Sequence, residues 1–243
     1  SDLNKKLSKR DPESNLFHHR DRGFIPEGLL NYLALLGWSL THDRDVFSKQ
    51  EMIAAFDVVN VNPNPARFDL KKADAINGDH IRLLELADFT DRLLPYLWAA
   101  DVVGENLTAD QQRVLEAVAP LVQTRMNVLG EAPGLLASFF VTSEELEFAP
   151  DALASLTDDA RAVLSAGIAS LEGVSDADWT TENIQGALNA SLIEQMELKP
   201  RVAFGPLRVA LSGARISPPL FESMEILGKS ETLARLARLA STL

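Results

Sequence analysis

The stretch Gly28-Leu-Leu-Asn-Tyr-Leu-Ala-Leu-Leu-Gly-Trp38 sets the fold class of this 243-residue chain. Its leucines recur at spacings of three and four residues, which is the period of an α-helix, and Gly37 offers a stop. We therefore expect a buried helix here. Its predicted apolar face consists of Leu29, Leu30, Leu33, Leu36 and Leu40.

The helical period returns along the rest of the chain. Ser48 with Glu51, and Thr108 with Gln111, have the spacing of capping boxes, which mark helix N-termini. Further helices are predicted at residues 88–98, 158–171, 181–196, 218–227 and 230–239. Residues 57–61 form the only short β-branched run that could be a strand. The sequence therefore predicts an all-α protein.

Composition excludes several classes of function. The chain has 35 acidic and 23 basic residues, a formal charge of -12, and no cysteine. Without cysteine there is no disulfide, no thiolate zinc site and no cysteine nucleophile. It has no apolar run of about 18 residues and no secretory signal pattern, so we expect no membrane span and a cytoplasmic protein.

Charge is distributed unevenly along the chain. Residues 1–100 carry 13 bases and 15 acids, residues 101–200 carry 4 and 17, and residues 201–243 carry 6 and 3. A site for a polyanion should therefore use the two ends of the chain and isolated arginines of the middle, because local potential governs association. The acidic block begins near a predicted domain boundary at residues 87–107.

The basic run Lys6-Leu-Ser-Lys-Arg10 lies in a polar stretch near the start. Such a run can be a solvated terminus. It can also be a loop whose lysines neutralise the charge that develops when pyrophosphate leaves a nucleotide. The spacing alone leaves both interpretations open.

Several separated blocks resemble one protein family in order. Lys6 to Arg10 is similar to the signature loop of class I aminoacyl-tRNA synthetases, in the variant of bacterial glutamyl-tRNA synthetases. The other blocks that match this family are residues 22–39, 65–72 with Asn77, 205–213, 218–221 and 227–229. The resemblance covers almost the whole chain.

The resemblance implies a domain order. Residues 1–15 would hold the signature loop, residues 16–100 a helical stem-contact domain, and residues 101–243 an α-helical anticodon-binding domain. The catalytic Rossmann half of the family would be absent from this chain, because no glycine-rich turn follows a strand and no histidine-rich adenylate motif is present. We therefore expect a C-terminal, tRNA-recognising fragment that is inactive alone.

The resemblance also implies chemistry and partners. The full-length enzyme would use ATP and Mg²⁺ to form glutamyl-adenylate and then glutamyl-tRNA, whereas the fragment would need no cofactor. Its partner would be tRNA(Glu), and tRNA(Gln) in some members of the family. We expect neither DNA nor a membrane as a partner, and a monomer.

Site residues follow from the same resemblance. Lys6 and Lys9 match the two lysines of the loop, and Lys9 would contact ATP phosphates. Arg125 matches the arginine that reads the third anticodon base. The residues that match the pocket for the other anticodon bases are Arg208, Ser217 and Leu220.

Other residues have ordinary structural interpretations. Arg125 would lie on an apolar helix, where it could also reach solvent or pair with an acid. Arg235 and Arg238 suit the C-terminal end of a helix, and Tyr32 and Trp38 suit the core. His18-His19 lacks the spacing of a metal site, so no metal site is predicted.

A different class of function is compatible with the same fold. The acidic middle and the lack of a dense basic stripe would suit a helical protein-interaction module that does not bind RNA. Salt dependence separates the two, because binding through phosphates weakens steeply with ionic strength.

Overall fold

A computed structural model describes residues 15–64 and 66–243. These residues form thirteen α-helices and no strand, which confirms the all-α prediction. The chain divides into two compact units. Unit 1 contains the described residues up to Asp101 together with Val122–Pro133, and unit 2 contains Val102–Leu121 and Gly134–Leu243.

Unit 1 is built from five helices and short turns. Residues 57–61 do not form a strand, because Val58–Asn60 is a 3₁₀ turn whose N-terminal Asp57 accepts a hydrogen bond from Val59 N–H. The chain comes back to unit 1 at Val122–Pro133, which we call the returning segment. A second 3₁₀ turn, Leu129–Glu131, lies in this segment. The helices are α1 Leu16–Arg22, α2 Pro26–Leu35, α3 Lys49–Ala55, α4 Leu70–Arg82 and α5 Leu86–Ala99.

Unit 2 contains most of the remaining helices. The helix Ala109–Gln123 (α6) begins in unit 2 and ends in unit 1, and the helix Ala132–Leu136 (α7) begins in unit 1 and ends in unit 2. A π-helical segment, Asn189–Gln195, continues the helix Thr181–Leu188 (α10). The helices are α6 Ala109–Gln123, α7 Ala132–Leu136, α8 Pro150–Leu153, α9 Ala160–Glu172, α10 Thr181–Leu188, α11 Pro200–Ser212, α12 Leu220–Leu227 and α13 Lys229–Thr242. Within the described ranges, no helix has the length and hydropathy needed to span a bilayer.

The packing of α2 against α4 organises unit 1. The two backbones approach so closely at Gly28 that an added Cβ would lie 2.5 Å from Asn77 Oδ1 and 2.7 Å from Asn77 Cα. The buried face of α2 is therefore Gly28, Leu29, Asn31 and Tyr32. The predicted all-leucine face is wrong in part, since Leu30 and Leu33 are exposed. The spacing of apolar residues does not identify a glycine or an asparagine as buried, because neither has a large apolar side chain.

The buried amide of Asn77 ties three segments of unit 1 together. Its Oδ1 accepts a hydrogen bond from Ile25 N–H at 2.9 Å, and its Nδ2 donates to the Asn127 carbonyl at 2.6 Å. Ile25 N–H is a buried backbone group that would otherwise lack a hydrogen bond. Asn77 thus fixes the start of α2 and the returning segment against α4.

Asn31 makes a second such connection. Its Oδ1 accepts from Phe47 N–H at 3.0 Å, and its Nδ2 donates to the Asp45 carbonyl at 2.8 Å. Because these contacts identify Oδ1 as the oxygen, His80 Nε2, 2.7 Å from it, must carry the proton. Burial lowers the pKa of His80, which favours this neutral form.

Both predicted capping boxes are present. Ser48 N–H donates to Glu51 Oε2 at 2.8 Å, and Glu51 N–H donates to Ser48 Oγ at 3.1 Å. Hydrogen bonds from Arg44 and Ser48 lower the pKa of Glu51 to about 2. Thr108 and Gln111 make the corresponding pair of bonds at 3.0 and 3.2 Å before α6.

Unit 2 has a larger apolar core, to which α9 to α13 all contribute. The fully buried side chains of this core include Val163, Leu164, Leu171, Ile184, Leu188, Leu192, Leu207, Met224, Leu236 and Leu239. A Cβ added at Gly167 in α9 would lie in van der Waals contact with Leu188 and Leu207. Aliphatic packing of this kind gives the unit its main stabilisation.

One cation lies inside this unit. Arg235 is 1% exposed, and its Nε donates to Glu231 Oε1 at 2.7 Å. Its Nη1 donates to the Leu211 carbonyl at 2.6 Å, and its Nη2 donates to the Val141 carbonyl at 2.7 Å. The prediction of a surface charge at a helix end is therefore wrong for Arg235, which connects α13 to the end of α11.

Candidate nucleic-acid interface

One face of α11 carries the side chains from which the site is built. Arg201, Phe204 and Arg208 are three and four residues apart, so they project from the same side of the helix. Pro200 occupies the first turn, where a missing N–H has no cost. The Phe204 ring packs edge-on against Phe221 of α12, with 5.3 Å between ring centroids.

The end of α11 is held by a glycine that no other residue could replace without strain. Gly213 has φ of 68°, and an added Cβ would collide with the Glu147 carbonyl. The Gly213 carbonyl accepts a hydrogen bond from Ala149 N–H at 2.8 Å. This contact joins the end of α11 to the residues before α8, and Arg215 and Ile216, which follow Gly213, are exposed.

A cavity of about 620 Å³ lies beside α11 within unit 2. Three arginines line it, and none of the described residues in its lining is acidic. The residues that line it are Ser155 to Thr157, Pro200 to Val202, Phe204 to Pro206, Arg208, Val209 and Arg215. The cavity therefore combines positive charge with an aromatic ring, inside a chain whose net charge is -12.

The structure brings together two of the predicted pocket residues. Arg208 Nη1 lies 3.4 Å from Ser217 Oγ and 3.4 Å from the Pro218 carbonyl. Leu220 begins α12 nearby in the chain, but it is 2% exposed and packs in the core of unit 2. The structure shows a packing role for Leu220, and its contact with a base stays a prediction.

The other bases near the C-terminus are engaged in holding the fold. Lys229 Nζ donates to the Glu172 carbonyl at 3.0 Å, and Arg238 donates to the Leu146 carbonyl. Arg235 is buried. The basic residues that line the cavity in this part of unit 2 are Arg201, Arg208 and Arg215, and the exposed Lys199 directly precedes α11.

Arg125 belongs to unit 1 and does not lie on a helix. The prediction of a helical position is wrong, because α6 ends at Gln123 and Arg125 follows in a turn, with its N–H bonded to the Val122 carbonyl at 2.9 Å. The side-chain amide of Gln123 donates to the carbonyls of Ile81 and Leu84, which ties the last residue of α6 to the end of α4. The Arg125 side chain is exposed.

The two predicted lysines of the signature loop precede the described part of the chain. Lys6 and Lys9 lie outside the described residues, and so does Pro65.

Among residues 15–64 and 66–243, no group of three or more His, Asp or Glu side chains is arranged to hold a metal ion. His19 lies in α1, buried against the rings of Phe24 and Phe68.

Sequence reasoning missed the contribution of Phe204 to this cavity. Arg201 and Arg215 were included only in the basic excess of residues 201–243, and no helix was predicted at the position of α11. The signal was the spacing Arg201, Phe204, Arg208 after Pro200, which places two cations and a ring on one helical face. The apolar residues between them mask this signal.

Two family models match the chain. The model described as an anticodon binding domain matches residues 88–240, a range that includes α11 and the whole cavity. The model described as the catalytic domain of class I tRNA synthetases (E and Q) matches residues 1–75. Together with the helical fold, these matches define a class I tRNA synthetase chain that carries an anticodon binding domain.

Curated relatives narrow the class. The chain is 67% identical over 240 residues to a glutamate–tRNA ligase of Clavibacter sepedonicus, and 64% identical to one of Leifsonia xyli. These matches cover 99% of this chain but only 47% and 49% of the relatives. This chain belongs to the bacterial glutamate–tRNA ligase family, and it spans about half the length of the curated relatives it matches.

Solved structures share the fold. A glutamate tRNA ligase of Elizabethkingia meningosepticum, in complex with its amino acid, matches with a TM-score of 0.77 at 24% identity, covering 99% of this chain and 49% of that one. A glutamate-tRNA synthetase of Elizabethkingia anophelis matches with a TM-score of 0.71, covering 92% of this chain and 42% of that one. The arrangement of helices is therefore retained at low sequence identity.

Proposed function

We propose that this chain recognises the anticodon loop of tRNA(Glu), as the tRNA-reading part of a glutamate–tRNA ligase. The observation that carries the proposal is the cavity beside α11, which three arginines line within the range of the anticodon-binding match. The negative net charge of the chain does not oppose it, because local potential decides where a polyanion binds.

The chemistry of the cavity suits a single-stranded loop. Unpaired bases expose their edges and faces, and a guanidinium supplies both planar donors for an edge and a flat surface for stacking. Arg208 is suited to the edge of a base because contacts with Ser217 and Pro218 orient it. Arg201 and Arg215 are exposed, so they can contact phosphates.

The rest of the reaction belongs to the longer protein. There, ATP and glutamate would form glutamyl-adenylate with Mg²⁺, and Lys6 and Lys9 would contact the ATP phosphates. The described residues hold no metal-binding group of three, so no step is assigned to them. We further propose that the protein acts in the cytoplasm as a monomer and that Arg125 helps separate tRNA(Glu) from tRNA(Gln).

Binding of tRNA(Glu) to substituted chains tests the proposal. Arg201→Ala removes an exposed charge of the cavity, and it should weaken binding and reduce the salt slope by about one. Arg208→Lys keeps the charge but loses the planar donors, so it should weaken binding about tenfold at an unchanged salt slope. Arg161→Ala, an exposed arginine of α9 outside the cavity lining, is the control and should change affinity less than about twofold.

The competing RNA decides between the outcomes. The wild-type chain should bind tRNA(Glu) with changed anticodon bases more weakly than unchanged tRNA(Glu), whereas Arg208→Lys should bind the two RNAs equally. Arg125→Ala should bind tRNA(Glu) with a smaller preference over tRNA(Gln) than wild type does. Equal losses for Arg161→Ala and Arg201→Ala would contradict the assignment of the cavity. Binding of no tRNA at low salt would instead favour the protein-interaction module.

A further inference from the structure

Unit 1 displays an apolar surface at the end of α3. We call Ile53, Phe56, Val58 and Val59 the α3 surface; they are 66%, 49%, 72% and 79% exposed. Every residue from 53 to 60 is exposed, and α3 buries none of its own residues. An amphipathic helix normally turns its apolar side to a partner.

The segment is well formed even though the described residues of unit 1 leave it largely exposed. A complete capping box begins α3, and Arg44 Nη1 pairs with Glu51 Oε1 at 2.7 Å. The Phe56 ring contacts the Trp38 ring, with 5.7 Å between centroids. The α3 surface is therefore held in place by unit 1 and presented to solvent.

Exposed apolar residues are concentrated in one part of the sequence. Of the thirteen large exposed hydrophobic residues in the described chain, eight lie between Leu16 and Val59. All eight fall in residues 1–75, the range that matches the class I catalytic domain. Only Met196 and Ile216 fall in the anticodon-binding match, 88–240.

We propose that the α3 surface packs against the remainder of the class I catalytic domain. The curated relatives are about twice as long as this chain, so they have room for that remainder. A catalytic domain of which 75 residues are matched here must complete its core with apolar contacts from those residues. The α3 surface supplies such contacts.

Charge argues against RNA as the occupant. Asp57 lies in the middle of the α3 surface, and the closest bases along the chain are Lys49 and Arg67. A surface for phosphates would need cations among the exposed residues, and residues 53–60 contain none. Exposed valine and phenylalanine side chains suit a dry protein contact instead.

Cysteine labelling measures whether the surface is covered. The chain has no cysteine, so Val59→Cys introduces a single reporter at the most exposed position of the surface. Its maleimide labelling rate is compared in this chain and in a fusion protein that adds, in natural order, the part of the Clavibacter sepedonicus relative beyond this chain. Site-resolved mass spectrometry isolates the reporter from other cysteines.

The fusion protein should label Val59→Cys at least about tenfold more slowly than the chain alone. Leu83→Cys is the matched control, because Leu83 is 70% exposed in unit 1 but lies outside residues 1–75, and its rate should be the same in both proteins. Val59→Asp should lower the melting temperature of the fusion protein by several degrees and leave that of the chain within about 1 °C.

Three results would overturn the proposal. The first is an equal labelling rate of Val59→Cys in both proteins, together with an unchanged melting temperature for Val59→Asp. The second is concentration-dependent protection in the chain alone, which would assign the surface to a second copy. The third is protection of the chain alone by tRNA(Glu). The first two results do not bear on the arginines of the cavity, and the third would show tRNA binding at the α3 surface, so the failure of this proposal can be distinguished from the failure of the proposed function.

Discussion

The two units of this chain are stabilised in different ways. In unit 1, Asn31, Asn77 and His80 are buried and hydrogen-bond across the sequence to backbone groups and to each other. In unit 2, a broad aliphatic core provides the main stabilisation, and Arg235 is the large polar side chain within it. Hydrogen bonds of buried amides fix the register between segments of unit 1, whereas burial of aliphatic side chains is the main contribution among α9 to α13 of unit 2.

The difference extends to the surfaces. Unit 1 leaves apolar side chains such as Val58 and Val59 in solvent, whereas the cavity beside α11 in unit 2 has three arginines in its lining. A unit that leaves a group of apolar side chains exposed beside its buried core has a surface suited to contact with another domain. A unit with a complete core and a cationic cavity can present a ligand site of its own.

The largest effect is expected at the buried cation of unit 2. Arg235→Ala leaves Glu231 and the carbonyls of Leu211 and Val141 without their partner, which should lower the free energy of unfolding by about 3–5 kcal/mol. Urea denaturation followed by circular dichroism measures the loss. Arg161→Ala, at an exposed position, should change the free energy of unfolding by less than about 0.5 kcal/mol. Equal losses for Arg235→Ala and Arg161→Ala would contradict the stabilising role of the buried Arg235.

Two glycines give opposite signs in the two units. Gly28→Ala forces a methyl group against Asn77 and should destabilise unit 1 by about 1–3 kcal/mol. Gly186→Ala in α10 meets nothing within 4 Å, so it should stabilise unit 2 by about 0.5–1 kcal/mol through helix propensity. Urea denaturation of both variants provides the comparison, and a stabilising Gly28→Ala would show that α2 and α4 can separate freely.

The smallest expected effect is the pH dependence of unit 1. Burial lowers the pKa of His80 in the folded chain, so the unfolded chain binds the proton at higher pH. Stability should therefore be complete above about pH 6.5 and decline as the pH falls below that value. Hydrogen exchange of Phe47 N–H, which is bonded to Asn31, measures this locally.

His80→Gln keeps a donor for Asn31 but cannot titrate in this range. It should remove most of the decline between about pH 6.5 and pH 5. His18→Gln, at an exposed position of α1, should retain the decline of the wild type. A decline that persists in His80→Gln would locate the titrating group elsewhere.

Sequence patterns predicted the helices whose stability depends on local chemistry. Ser48 with Glu51 predicted the start of α3, because a capping box is formed by residues three apart. The 218–227 and 230–239 periods predicted α12 and α13 closely. The helices α1, α4 and α11 were not predicted. Their buried faces include His19, Asn77 and Pro206, respectively, so these faces lack the regular apolar spacing that predicts a helix.

The candidate site could be predicted only in part. Arg208 and Ser217 were identified by resemblance, and the structure places their side chains 3.4 Å apart. Phe204 and the cavity were not identified, because a cavity depends on how α11 packs beside residues 155–157. Arg125 was placed on a helix because the apolar period continues past Gln123, where α6 ends, and the sequence does not reveal that Gln123 bonds to Ile81 and Leu84.

The sequence alone determined the all-α class, the capped helix starts, the uneven charge and the family, because these depend on residues close together in the chain or on blocks in a set order. Only the tertiary structure decided which arginines remain available to a ligand. Arg201, Arg208 and Arg215 face a cavity, while Arg235 is buried and Arg238 bonds to the Leu146 carbonyl. That choice depends on contacts between residues far apart in sequence, which no local pattern records.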